Sequence, residues 1–540
     1  MPQTHPPQQP LHEHLRRHAR ETPGRAAYVW YGQPLTWAEL DAASDAFAAR
    51  LQALGVQKGE PVALFMNNCP QYVMAHYGIQ KIGAIVCPCG PLNKAHELGY
   101  QLGDLGARVI VAADVLLPVV AQVRGDTRLE HVFTVRYADL LGGDSPIDVP
   151  AELTAMRAQP APVPDALAAC CEDFLAATRS GAKPRPVEIG LDDVALMTYT
   201  SGSTGLPKGA MLSYGNALFK TDASAQSSSL GAQDVLLAIA PLYHIAGMLM
   251  GVNVPVYTGA TCVLMYRFDA AATAQALARH RVTWWYSIAP MNVAVMQVPG
   301  ARDMDFSALR HNAVTSFGIT FTEALANQWK EFAPNAVASE AAYGLSETHT
   351  CDTAMPVDAV RWGTQGKPVA GNRIRIIDPD TGEDMPVGAQ GEIIIHGPGN
   401  FRGYWNKPEA TAKTLKDGWV HTGDMGRLDA DGYLTFLGRF KEMIKVSGYS
   451  VFPEEVETIL IKHPAIAQAA VLGVPDAQKG EVVRAFIVQK PGAALDADAL
   501  VAWCRENMAA YKVPREVRFI DALPATGAGK VLRRLLRDIE

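Results

Sequence analysis

A large parallel-sheet α/β unit followed by a smaller α+β unit is the architecture this sequence predicts. Three observations carry that expectation. Short apolar runs alternate with amphipathic helical stretches through the first half of the chain, the mark of strand–helix–strand units. Near residue 370 the texture changes to alternating strands punctuated by Gly and Pro. After Gly438-Arg439 a fresh set of strands and helices begins. At 540 residues the chain is too long for one ordinary core.

Taken in order, residues 61–66 read as a buried strand, 72–82 as a helix and 84–87 as the next strand. Buried strands recur at 109–112, 194–200 and 282–288. Residues 374–377 and 392–396 alternate like antiparallel strands. In the terminal unit, strands are expected near 469–473, 484–489 and 517–520, and helices near 453–462 and 497–508. A closing helix should carry Val531, Leu532, Leu535, Leu536 and Ile539 on one face, with Arg533, Arg534 and Arg537 around the other. No repeat with a period of 20–50 residues is present. The expected division is 1–437, a hinge at 438–441, and 442–540.

Composition narrows the class. Hydrophobic residues make up 48% and charged residues 19%, which is globular rather than disordered. A formal net charge of -7 argues against a nucleic-acid binder that works by bulk charge. Any anionic substrate must therefore meet locally placed positive groups. The eight cysteines include no CxxC pair, and a long chain without an apolar signal core points to reduced thiols and a cytoplasmic location. Residues 235–266 contain no Asp, Glu, Lys or Arg, but Pro241, His244, Asn253, Pro255 and Gly259 interrupt them. A spanning helix needs about 20 apolar residues with few such breaks, so strands and a helix of a buried core are expected there. Peripheral contact with a membrane and a homodimer stay open.

The densest chemical signal is Thr198-Tyr-Thr-Ser-Gly-Ser-Thr-Gly-Leu-Pro-Lys208-Gly209. Thr200, Ser201, Ser203 and Thr204 supply hydroxyls between Gly202 and Gly205. Glycines let backbone amides approach a ligand, and hydroxyls donate to phosphate oxygens. Lys208 adds a mobile positive charge. The preceding strand places the loop at a strand's carboxyl end, where open α/β sheets bind ligands. It is not a Walker A loop, because Pro207 stands where that motif needs Gly. Gly397-Pro-Gly399 is not a dinucleotide fingerprint either, since the third Gly comes one place late.

This segment resembles the phosphate-loop signature of the adenylate-forming superfamily, which includes acyl-CoA synthetases, peptide-synthetase adenylation domains and luciferases. Further segments resemble that family's signatures in the same order: Pro241-Leu-Tyr-His244, Tyr343-Gly-Leu-Ser-Glu-Thr348, Gly403-Tyr-Trp-Asn-Lys-Pro-Glu-Ala-Thr411, His421-Thr-Gly-Asp424, Gly438-Arg-Phe-Lys441 and Pro524-Ala-Thr-Gly-Ala-Gly-Lys530. The resemblance implies a large domain of layered α/β sheets with a small β-barrel-like subdomain, plus a small mobile α+β domain. It implies ATP, Mg2+ and coenzyme A as ligands.

It also implies roles. Residues 200–205 and Lys208 would cradle phosphates. Thr200 and Glu347 would hold magnesium, which prefers oxygen ligands and keeps several waters. Tyr343 and Gly344 would lie against adenine, and Thr348 would approach the α-phosphate. Asp424 would accept from the ribose diol, and Arg439 would contact ribose or phosphate. Lys530 would bridge two mutually repelling anions, the substrate carboxylate and the α-phosphate. Lys441 would be the hinge, and Lys445, Ser447, Gly448 and Tyr449 would shape the thiol tunnel in a second conformation. His244 would gate the acyl pocket, against the simpler reading of a satisfied core histidine.

One departure concerns the acyl group. Ser316-Phe-Gly-Ile-Thr-Phe-Thr322 keeps only Gly318 of the family's Gly-Gly-Ala/Glu-Pro loop. Tyr243, His244, Trp284-Trp285-Tyr286 and the loop Phe317, Gly318, Ile319 and Thr320 are expected to line the pocket, with no Arg or Lys among them. That favours a hydrophobic acid. The expected activity is an ATP-dependent carboxylate–CoA ligase acting on a medium- or long-chain fatty acid. The alternatives are an aromatic acid, a carrier-protein acceptor, and a non-catalytic nucleotide-binding regulator.

Overall fold

The computed structural model describes residues 8–200, 206–316, 319–446, 449–476, 480–525, 531–537 and 539. A first seven-stranded sheet runs Cys171–Asp173, His131–Val135, Val109–Ala113, Pro61–Phe65, Ile85–Cys89, Val194–Thr200, Lys208–Ser213. Its first six strands are parallel, and the last turns back antiparallel on Val194–Thr200. Every residue of Val109–Ala113 is buried, as expected where a parallel sheet is covered on both faces. The helix expected at 72–82 is Pro70–Gln80, opened by Pro70, whose fixed φ suits a first helical position. All of its residues are buried, because a second sheet covers its far side. Tyr72 and Tyr77 donate across to the carbonyls of Leu242 and Val252, at 3.0 and 3.1 Å.

The second sheet runs Val337–Glu340, His311–Thr315, Trp284–Ile288, Val235–Ala238, Thr261–Leu264, Ala26–Trp30, Gln33–Thr36, parallel except at the last pair. The charge-free stretch 235–266 is two of these strands joined by Ile245–Met248, a π-helical turn Leu249–Asn253, and Val254–Thr258. Among the described residues no helix is long and apolar enough to cross a membrane. All eight cysteines are outside disulfides.

A five-stranded antiparallel sheet follows, in which Trp419–Leu428 pairs with Gly391–His396, Leu415–Lys416 and Leu434–Arg439. Its last strand ends at Arg439, one 3-10 turn covers Phe440–Glu442, and the fourth sheet starts at Ile444. Gly438 has φ 137°, and a Cβ there would stand 2.4 Å from Glu454 Oε2, so only glycine lets the chain pass. The fourth sheet holds Tyr449–Val451, Ile444–Val446, Gly480–Gln489, Ile466–Asp476 and Glu516–Phe519, packed with helices Pro453–Leu460 and Ala497–Asn507.

Two expectations change here. The closing helix is a single turn, Arg533–Leu536. Leu536 is buried against Leu472 and Phe486, but Leu535 is exposed. Arg533, expected in solvent, points inward among Glu442, Glu454 and Glu457. Three carboxylates draw one guanidinium more strongly than a helical pattern holds it out. Trp285 also leaves the pocket. Side chains alternate along a strand, so Trp284 and Tyr286 face the cleft while Trp285 packs on Trp329 in the core.

Candidate active site

Strands Val194–Thr200, Trp284–Ile288, His311–Thr315 and Val337–Glu340 end at one cleft of about 1840 Å³. Open α/β sheets bind ligands at these carboxyl ends. The third sheet closes a second side with Glu392, His421, Asp424 and Phe436, and Lys441 and Arg533 lie at the rim.

Thr200 pairs directly opposite Lys208 across the hairpin. Of residues 201–207, which join them, 201–205 lie outside the described residues. The edge strand Lys208–Ser213 is extended by residues 402–405. Met211 N–H donates to Gly403 O at 3.0 Å and Trp405 N–H to Gly209 O at 2.8 Å. That pairing sets Tyr404 beneath Lys208, whose ammonium is 4.2 Å from the ring centroid, a contact worth roughly 0.5–1 kcal/mol at an open site. The Tyr404 hydroxyl donates to Glu347 Oε1 at 2.7 Å. One short chain of contacts thus links this hairpin to Glu347, the carboxylate expected to hold a metal.

Asp424 is placed by its own motif. The Thr422 hydroxyl donates to Ile393 O at 2.6 Å and accepts from Asp424 N–H at 3.0 Å. Gly423, at φ 68°, donates to Glu392. Arg439 stands opposite in the ladder, its Nε 3.2 Å from Asp424 Oδ1. The Tyr343 hydroxyl donates to Asp424 Oδ2 at 2.7 Å, and its ring stacks on Phe436 at 5.7 Å. These contacts hold Asp424 in the wall of the cleft.

The segment after Tyr343 is tightly turned. A Cβ on Gly344 would lie 2.5 Å from Cys351 N. His349, Thr350 and Cys351 have φ of 58°, 57° and 47°, a run that costs about 1–3 kcal/mol per residue and persists only where surroundings fix it. What fixes it is Asp352. Its carboxylate accepts from Thr348 Oγ1, from Asn372 Nδ2 at 2.8 Å, and from Lys220 Nζ at 2.5 Å. Both Lys220 and Asp352 side chains are fully buried. Burial pushes the Asp352 carboxyl up, and Lys220 pulls it back down. The expectation for Thr348 is therefore corrected: its hydroxyl turns inward to Asp352 and it does not line the cleft. Glu347, one residue earlier, does.

On the acyl side, Tyr243, His244, Trp284, Tyr286 and Ile319 line the cleft. His244 is exposed and caps the helix Ile245–Met248, so the core-histidine alternative falls. Tyr286 accepts from Thr315 Oγ1 at 3.1 Å, and burial pushes its hydroxyl up to about 12. Phe317 and Gly318 lie outside the described residues, as do Ser447, Gly448 and Lys530. Lys445 is exposed, away from the cleft lining, with its N–H on Glu481 at 2.8 Å. Tyr449 opens a strand of the fourth sheet.

The AMP-binding enzyme family model matches residues 15–405, and the model of that family's C-terminal domain matches 455–530. The chain belongs to the AMP-binding enzyme family. It is 33% identical over 538 residues to a long-chain-fatty-acid–CoA ligase of Salmonella typhimurium, covering 98% of this chain and 93% of that one. It is 34% identical over 526 residues to a feruloyl-CoA synthase of an Amycolatopsis species, covering 96% and 97%. Among solved structures, the anthranilate CoA ligase AuaEII in complex with anthranoyl-AMP superposes with TM-score 0.83 at 27% identity, covering 98% and 96%. ATP-bound MatB from Rhodopseudomonas palustris gives TM-score 0.84 at 26% identity, covering 98% and 99%. This AMP-binding enzyme is thus an acyl- or aryl-CoA ligase, as the motif order implied.

Three features of this AMP-binding enzyme escaped the sequence reading. Tyr404 lies within the Gly403–Thr411 motif, whose pattern assigns it no role. Gly399 looked like part of a failed fingerprint. It instead packs on Lys220, where a Cβ would stand 2.2 Å from Cε. Glu340, at the end of its strand, lines the cleft. Its neighbours Ser339, Ala341 and Ala342 give no local signal of that.

Proposed function

We propose that this enzyme joins a hydrophobic carboxylic acid to coenzyme A in two half-reactions that share one cleft. Acid and ATP give acyl-AMP and pyrophosphate, and the thiol then displaces AMP. The observation that carries the reading is the convergence of Lys208, Glu347, Asp424 and Arg439 on the cleft that Tyr243, His244 and Tyr286 line. Two cations and two carboxylates thus meet aromatic side chains in one cleft, an arrangement suited to joining an acid to a nucleotide.

In this reading residues 200–205 and Lys208 hold the triphosphate, Tyr343 and Gly344 flank adenine, and Asp424 and Arg439 hold the ribose. Glu347 and Thr200 suit magnesium. Glu347 spends one oxygen on Tyr404, its other oxygen makes no hydrogen bond among the described residues, and both residues face the cleft. The bound ion would neutralise phosphate charge there. Lys530 draws carboxylate and α-phosphate together. The 438–441 segment is the hinge about which residues 442–540 turn, and Lys445 with Ser447, Gly448 and Tyr449 then forms the thiol path that His244 gates.

For the acid, a medium- or long-chain fatty acid is the first reading, supported by the fatty-acid ligase relatives. The feruloyl-CoA synthase relative and Trp284 and Tyr286 in the pocket support an aromatic acid as the second. A panel of both acid types, assayed for AMP release with and without coenzyme A, tests the proposal. Release that depends on acid and coenzyme A supports it. Release with no dependence on coenzyme A refutes the thioester half, and no release with any acid refutes the whole.

A further inference from the structure

Helix Ala95–Leu105 is fixed to the first sheet from below its length. Leu98, Leu102 and Leu105 are buried in one cluster with Cys87, Cys89 and Met197, and Gln101 Nε2 donates to Pro88 O at 2.8 Å. Tyr100 and Asp104 stand four apart, on one face of this helix. That face touches both arms of the hairpin that Thr200 and Lys208 close. The Tyr199 hydroxyl, next to Thr200, donates to Asp104 Oδ2 at 2.7 Å. The Tyr100 hydroxyl donates to the carbonyl of Pro207, next to Lys208, at 2.9 Å. Asp104 also holds the segment that runs beside the hairpin. Lys407 Nζ donates to Asp104 Oδ1 at 2.9 Å, and Trp405 Nε1 donates to the Asp104 carbonyl at 3.1 Å. Trp405 follows Tyr404, the ring under Lys208 and the donor to Glu347. The Asp104 side chain is only 9% exposed, and it does not itself line the cleft. A carboxylate in the last turn of a helix works against the helix dipole, so its place is explained by these partners and not by the helix.

We infer that Asp104 is a positioning residue for the triphosphate of ATP, acting through Tyr199, Trp405 and Lys407 to set Thr200, Lys208 and Tyr404 against one another. The inference rests on the reading of residues 200–205 and Lys208 as the triphosphate site, and adds the part that holds that site in shape. A binding group is precise only when the side chains behind it are locked by packing and hydrogen bonds. One carboxylate here locks three chain segments at once. Its removal frees the hairpin ends and the Tyr404 segment to shift independently. The adenosine half of the nucleotide, assigned to Tyr343, Asp424 and Arg439, has no contact with this network among the described residues.

The test measures dissociation constants by titration calorimetry on the full-length enzyme, with MgATP and AMP as separate titrants. AMP carries the adenosine half but lacks the β- and γ-phosphates. Asp104→Ala should weaken MgATP about tenfold or more, the equivalent of one hydrogen bond to a charged group, and leave AMP little changed. A merely structural role would weaken both nucleotides alike. Lys208→Ala, at the site itself, should show the same selective loss. Should Asp104→Ala fail to fold, Tyr199→Phe and Lys407→Met replace it. Each breaks one contact of the carboxylate, and each should weaken MgATP more than AMP. Equal weakening of the two nucleotides, or none, overturns the inference while a selective loss in Lys208→Ala leaves the triphosphate reading intact. No selective loss in Lys208→Ala overturns that reading and the inference together.

Discussion

Lys220→Met is the substitution that most directly probes how this fold holds the turn that follows Glu347. Lys220 and Asp352 are both fully buried and 2.5 Å apart. Met keeps the apolar stem but leaves the Asp352 carboxylate uncompensated. Breaking a buried pair in this way costs about 3–5 kcal/mol, and a urea titration of the full chain should show a loss of that size in the unfolding free energy. The sign of its pH dependence follows. Burial already raises the Asp352 carboxyl and Lys220 opposes that, so in the variant it rises further. The unfolded chain ionises near pH 4, while the native variant keeps its proton to higher pH. Stability then falls as pH climbs through that window, and the variant should lose more at pH 8 than at pH 5. Function should suffer as well. Without Lys220, the left-handed run His349–Thr350–Cys351 loses the anchor that holds its strain, and Glu347 two residues earlier loses its position. A misplacement of about 1 Å costs on the order of 10²-fold, read as the rate of acid-dependent pyrophosphate exchange. The double variant Lys220→Met/Asp352→Asn should recover at least half of the lost stability, since no buried charge remains. A loss below about 1 kcal/mol, an equal loss at both pH values, or a double variant no more stable than the single would each refute the reasoning.

Other changes test separate parts of the site. Tyr404→Phe keeps the ring under Lys208 but removes the 2.7 Å hydrogen bond to Glu347. A hydrogen bond to a charged group is worth about 1.5–3 kcal/mol, so the half-saturating MgATP concentration should rise about tenfold or more with the urea midpoint little changed. An unaltered MgATP dependence would remove Tyr404 from the site. Burial pushes Glu454 up to about 7 despite Arg533 at 3.1 Å, with Glu457 and Glu442 also facing it. The native protein therefore keeps a proton that the unfolded chain has lost between about pH 4.3 and 7, and stability falls across that window. Glu454→Gln should flatten the fall in a pH series of urea midpoints, and a curve parallel to the unaltered protein would contradict it. Lys530→Ala should slow pyrophosphate exchange by a factor of order 10²–10³. Lys441→Pro should spare exchange but block thioester release, because Pro fixes φ at the hinge. Equal loss of both half-reactions would count against a two-conformation enzyme.

The sequence disclosed whatever depends on neighbours along the chain. Val194–Thr200 was legible as a strand because an apolar run stops at a hydroxyl- and Gly-rich turn. The Thr422–Gly423–Asp424 turn was legible because Gly at φ 68° and a Thr hydroxyl make it locally. Contacts set by sheet register were not legible. Trp284 and Trp285 are indistinguishable in composition, and only the strand's phase sends one to the cleft and the other to the core. Arg533 fitted a polar helix face until three glutamates from residues 442–457 came round it. Glu340 is the sharpest case. It stands in Ala338-Ser-Glu-Ala-Ala342, where a charged residue at a strand end ordinarily reads as solvated. Its place in the cleft comes from pairing with Val314, which sets it beside Ser316. The phosphate side of this cleft is written in contiguous motifs, because backbone amides and short hydroxyl side chains must wrap one ligand within a few residues. The aromatic wall of the cleft is assembled from single residues on several strands, and which of them face it is legible only once those strands are in register.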